Sequence, residues 1–153
     1  MNDMKKEFKK ELTLLIVGGL VYLLIELLWR GHTHWSMGIV GGICFVIIGL
    51  INELFPMEMY IELQAMISAV CITIVEYIAG RVINIRLGWN VWDYSNLPFN
   101  IEGQVCLLFA FFWFWLAIFG IVLDDGLRYK LWKEDKPEYR SFVYNKFKKY
   151  FES

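Results

Sequence analysis

The chain has no surplus of basic charge, no cysteine pair at metal or redox spacing and no named catalytic signature, and each lack counts against a class of function. Its 15 Lys and Arg nearly cancel its 16 Asp and Glu, for a net charge of −1 and a pI near 6.1. There is no basic footprint for nucleic acid. Cys44, Cys71 and Cys106 all fall inside apolar runs without C-x-x-C spacing, which argues against a disulfide framework or a zinc site and leaves them as small buried hydrophobes. No G-x-x-x-x-G-K-[ST] loop is present, so the chain cannot itself hydrolyse ATP by that route, and no nucleophile elbow, H-E-x-x-H or kinase signature occurs. No cofactor is expected.

What the chain has instead is apolar mass. At 153 residues and 58% apolar content it is one domain by length and lies above the range of about 45–50% usual for soluble proteins. A membrane span needs about 20 mostly apolar residues, and four stretches qualify, at about 12–29, 37–54, 61–80 and 104–123. Each must be helical, because lipid offers no partner to a free backbone group. The expected fold class is therefore an all-α membrane protein of four transmembrane helices over residues 1–123. Residues 124–153 form a cytoplasmic tail. The first run carries Glu26 near its end and has no A-x-A-like cleavage site, so it is expected to stay as an anchor.

Orientation follows from Lys and Arg, which stay cytoplasmic near span ends. Lys5, Lys6, Lys9 and Lys10 precede the first span and eight Lys or Arg follow the fourth, whereas the loops share only Arg30, Arg81 and Arg86. Both termini are expected in the cytoplasm, with 30–36 and 81–103 outside and 52–60 inside. Gly18-Gly19, Gly41-Gly42 and the Gly38-x-x-x-Gly42 spacing predict close helix approach. In the tail, Asp135-Lys-Pro-Glu138 reads as a helix start. Tyr139, Val143, Phe147 and Tyr150 or Phe151 recur at helical spacing among Arg140, Lys146, Lys148 and Lys149, predicting a basic amphipathic helix for anionic lipid or a partner protein.

Charge inside a span costs about 2.5–3.5 kcal/mol on insertion scales, so Glu26 and Glu76, at equivalent depths near the outer face, are candidates for function. Arg30 and Arg81 follow them at the helix ends and would either neutralise them, fixing helix register, or line one outward polar pocket with them. His32 and His34 would share a side only in an extended segment. With no cysteine nearby, a pocket-lining or interfacial role is preferred to metal binding, and His32, nearer Glu26, is the better candidate. The segment 81–103 mixes Trp89, Trp92, Tyr94 and Phe99 with Asn90, Asp93, Asn96 and Asn100, a combination that packs at headgroup level while aiming polar groups inward. A short helix over 82–87 followed by a folded-back segment is expected. Asp93 and Asn100 either satisfy turn backbone or belong to a cap, with Asp93 facing the arginines and Trp92 or Tyr94 closing on a ligand.

Within this segment, Trp92-Asp-Tyr-Ser-Asn-Leu-Pro-Phe-Asn100 followed by Glu102-Gly103 resembles the CmpB family, small bacterial membrane proteins described as type IV ABC-transporter permeases. The similarity covers about 12–123 and includes Ser36 to Gly42 and Glu76. The resemblance implies that Glu76, Trp92, Asp93, Tyr94, Ser95, Pro98, Phe99, Asn100 and Gly103 are characteristic positions. It also implies a homo-oligomer working with a separate ATPase subunit. The expected function is a transport-related membrane component. Its outward pocket for a small solute or headgroup would be formed by Glu26, Arg30, His32, Glu76, Arg81, Trp92, Asp93, Tyr94 and Asn100. The alternatives are a membrane enzyme acting on a lipid headgroup, with His32 and a carboxylate as acid and base, and a non-catalytic regulatory or assembly subunit.

Overall fold

The computed structural model describes residues 2–55 and 59–143. Four helices follow in order: α1 (Asn2–Arg30), α2 (Trp35–Leu54), α3 (Ile61–Gly80) and α4 (Leu107–Leu127). All four are long and apolar enough to cross a membrane. Wide π-helical turns extend α3 through Arg81–Arg86 and α4 through Arg128–Trp132. The start of α1 and the end of α4 share one end of the bundle, here the terminus end. The α1–α2 connection and the long α3–α4 connection share the other, the loop end.

Two boundaries differ from the hydropathy pattern for local reasons. α1 begins well before its apolar run because Lys and Glu are good helix formers, and Lys10 holds Glu7 one turn back at 2.9 Å. α4 begins at Leu107 because Val105–Cys106 (β2) pairs antiparallel with Asn100–Ile101 (β1), matching Asn100 to Cys106 and Ile101 to Val105. The turn between them places Glu102 and Gly103 at φ 51° and 67°, as a tight hairpin requires.

α1 packs chiefly on α2, and α3 on α4, with α2 in contact with both α3 and α4. The glycines act as the spacing predicts. A Cβ on Gly19 would fall 2.4 Å from the Gly38 carbonyl oxygen, and one on Gly42 would fall 2.4 Å from that of Leu15, so the two backbones touch where lipid provides no hydrophobic drive between helices. Between α2, α3 and α4 the core is Ile48, Ile61, Ala65, Ala69, Ile72, Trp113, Ala117 and Ile121. Large apolar side chains such as Leu20, Ile39, Val70, Phe111 and Trp115 point outward, as a lipid-facing surface demands. α1 and α4 approach at their ends, through Trp29–Phe112 at 6.5 Å and Arg128–Glu11 at 3.3 Å. Between those contacts lies a cleft of about 60 Å³.

The expected helix start at Asp135 does not form. Residues 133–139 are non-helical, because the segment is tied down across the helix ends. The Tyr139 hydroxyl donates to Asp125 Oδ2 at 2.8 Å. Ile61 N donates to the Arg140 carbonyl at 2.9 Å, and Glu62 accepts from the backbone N–H of Phe142 and Val143. Phe147, Tyr150 and Phe151, on which the amphipathic pattern also relied, lie outside the described residues.

Candidate functional site

Glu26 sits on the last turn but one of α1, 6% exposed. Its Oε1 accepts from Arg30 Nη1 at 2.7 Å, the i,i+4 geometry of one helix face, and its Oε2 accepts from the Thr33 hydroxyl. Arg30 Nη2 reaches across to the Val91 carbonyl at 2.9 Å and lies 3.4 Å from His32 Nε2. His32 Nδ1 is 3.0 Å from the Arg30 carbonyl. Glu26 and Arg30 thus form a clamp that holds the α3–α4 connection onto α1. His34 caps α2, taking the Ser36 N–H on Nδ1, and packs its ring against Trp35 and Trp89.

Glu76, in the last two turns of α3, is 4% exposed and has different company. Its Oε1 accepts from the Tyr94 hydroxyl at 3.1 Å and its Oε2 from Trp113 Nε1 at 2.8 Å. The Tyr94 ring stacks on Phe109 with centroids 4.4 Å apart. Burial, and then the Glu76 carboxyl beside it, hold the Tyr94 hydroxyl well above the usual phenol range, so Tyr94 keeps its proton and donates it. Glu76 lines the cleft between α1 and α4 together with Tyr22, Cys44 and otherwise apolar residues.

The remaining candidates build the connection. Asp93 is exposed. Its Oδ1 accepts from Ser95 N at 2.8 Å and Ser95 Oγ at 2.5 Å, and these bonds, hydroxyl first, hold its carboxyl below the usual carboxylate range. The Asn100 amide donates to the Leu97 carbonyl at 2.8 Å, and its Oδ1 accepts from Gly103 N at 3.0 Å. Trp92 is buried, with Nε1 donating to the Gln104 carbonyl at 2.9 Å. Arg81 lies at the surface, 3.4 Å from Glu102. The geometry brings Tyr94 to Glu76 and Arg30 to Glu26, and leaves Arg81, Asp93 and Asn100 apart from both acids.

Two polar groups lie outside the set of candidates that the sequence pattern offered. Asn84, turned inward by the π-helical stretch, donates to Gln104 Oε1 at 2.9 Å and accepts from Val91 N at 2.7 Å. At the terminus end, Arg128 (2% exposed) hydrogen-bonds Asp124 (0% exposed) through Nε at 2.7 Å and Glu11 through Nη2 at 3.3 Å, and its Nη1 is ion-paired with Glu53 at 3.1 Å without a hydrogen bond. Gly49 makes room: a Cβ there would lie 2.8 Å from both Asp124 oxygens. A polar hollow of about 520 Å³ lies beside this cluster, bordered by Asp125, Arg128, Glu134 and Tyr139. The signal was Asp124 at the end of an apolar run with Arg128 one turn on.

Four apolar spans with lipid-facing side chains and internally paired charge define a multi-pass membrane protein. A family model described as "Putative ABC-transporter type IV" matches residues 14–145, and the chain belongs to this family, CmpB. No curated protein and no solved structure matches it.

Proposed function

We propose that the chain is the membrane-spanning component of an ABC transport system, with Glu76 as the group that binds a cationic solute. Both termini lie on the cytoplasmic side, in keeping with the Lys and Arg flanking α1 and α4. A separate ATPase subunit works with it from that side, and the chain assembles as a homo-oligomer. The observation that carries the reading is the setting of Glu76. It is a buried acid at the head of a cleft, and its ligands are a phenol and an indole. Intramembrane acids of this kind mark solute and proton paths. The Glu26–Arg30 clamp and the hairpin built by Asp93, Asn100 and Gly103 serve to hold Tyr94 over Glu76.

The test is accumulation of labelled small organic cations by cells that carry the wild-type chain, the Glu76→Gln variant or no copy. The variant is expected to behave like the cells without the chain. Accumulation by correctly inserted Glu76→Gln that matches wild type would overturn the assignment.

A further inference from the structure

Among the described residues, three acidic side chains are nine-tenths or more buried: Glu26, Glu76 and Asp124. Two of them have a guanidinium in contact. Glu26 pairs with Arg30 at 2.7 Å and Asp124 with Arg128 at 2.7 Å. Glu76 has none, and receives only the neutral donors of Tyr94 and Trp113. A carboxylate offers about four acceptor positions, so two donors leave it with unused capacity and, whenever it is ionised, with its charge uncompensated in a low-dielectric setting. A cation brought to Glu76 would supply what Arg30 and Arg128 supply elsewhere.

The cleft says what should accompany that cation. Its walls on either side are Val21 and Ile25 on α1 and Leu116 and Phe119 on α4, all apolar. Phe119 is 52% exposed on the outer surface of the bundle, so the cleft has an opening towards lipid. The Tyr22 hydroxyl, also in the lining, has no hydrogen-bond partner among the described residues and can take a second bond from a polar head. One acid in an otherwise largely apolar lateral slot matches a molecule that is charged at one end and hydrocarbon for the rest.

Resting on the reading of Glu76 as a cation site, we propose that the cleft binds an amphiphile admitted sideways from the bilayer, its ammonium head on Glu76, the first methylenes of its alkyl chain between α1 and α4 and the rest of that chain in the lipid. A neutral head leaves the Glu76 charge uncompensated, and an anionic one is repelled by it.

Equilibrium binding to the purified full chain in lipid nanodiscs tests this with four probes: dodecylammonium, dodecanol, dodecanoate and ethylammonium. Dodecylammonium is expected to bind at least about tenfold more tightly than the alcohol or the acid, equivalent to about 1.4 kcal/mol, and Glu76→Gln is expected to erase that preference. Leu116→Trp, or Val21→Trp from the opposite wall should the first not yield folded protein, is expected to weaken dodecylammonium while leaving ethylammonium unchanged. Equal binding of dodecylammonium and dodecanol to the wild type would overturn the proposal. Ethylammonium binding as tightly as dodecylammonium, and through Glu76, would overturn the lateral amphiphile while sparing the cation site. Ammonium binding untouched by Glu76→Gln would remove both.

Discussion

Replacing Arg128 with Met isolates the terminus-end charge cluster. The guanidinium is 2% exposed and serves Asp124, Glu53 and Glu11. Without it, Glu53 and Glu11, whose side chains are 45% and 30% exposed, can turn to solvent or headgroups. Asp124 cannot, because it is 0% exposed and its carboxyl lies against the Gly49 backbone. Removing one partner of a buried pair costs about 3–5 kcal/mol, most of it the penalty on the charge left behind. Reversible unfolding in mixed micelles should therefore show Arg128→Met destabilised by about that amount. Adding Asp124→Asn to the same chain should recover roughly 2–3 kcal/mol, since a neutral amide has no charge to leave unpaired. A loss below about 1 kcal/mol, the value of an exposed ion pair, or a double variant no better than the single, would refute the reasoning.

Gly42→Val is expected to cost about 1–3 kcal/mol, as overpacking does, because its Cβ meets the Leu15 backbone and not a side chain that can move; the same unfolding assay reads it. Gly103→Ala puts a Cβ 2.4 Å from Ser95 Oγ at φ 67° and should cost at least about 1 kcal/mol for the left-handed conformation alone, seen as faster hydrogen exchange over 93–106. Arg30→Ala removes the bond to the Val91 carbonyl and the counter-charge of Glu26. Protease cleavage within 88–99 should rise by about tenfold or more, a charge-assisted bond being worth about 1.5–3 kcal/mol. Asp93 carries a depressed folded-state pKa, so its turn is intact at neutral pH and is lost only as pH falls through that lowered value. The Ser95 amide resonance should titrate below the usual aspartate value of about 3.9 and show no such titration in Asp93→Asn.

The helices were legible because a span is set by length and apolarity, which the sequence displays directly. Gly19 and Gly42 were legible as contacts for a similar reason, since close approach in lipid has few other uses. Contacts between residues far apart in sequence were not. Glu26 meets Arg30 one turn away, whereas the Arg81 that follows Glu76 by five residues points to Glu102. Helical geometry decides this, because a spacing of five turns the arginine off the face that carries the acid. That Trp113, 37 residues later, donates to Glu76 depends on how α3 and α4 rotate against each other. The tail misled because Pro and capping residues suit a turn as well as a helix start, and the tertiary bonds of Tyr139 and Arg140 override its weak local preference.

The central claim is that Glu76 is a buried carboxyl awaiting a cation. Infrared difference spectroscopy of the nanodisc-embedded chain, with and without dodecylammonium, addresses it at the atoms concerned. A carboxyl or carboxylate band change is expected on ligand addition, absent from the Glu76→Gln variant. A difference spectrum at saturating ligand identical in wild type and variant would contradict it.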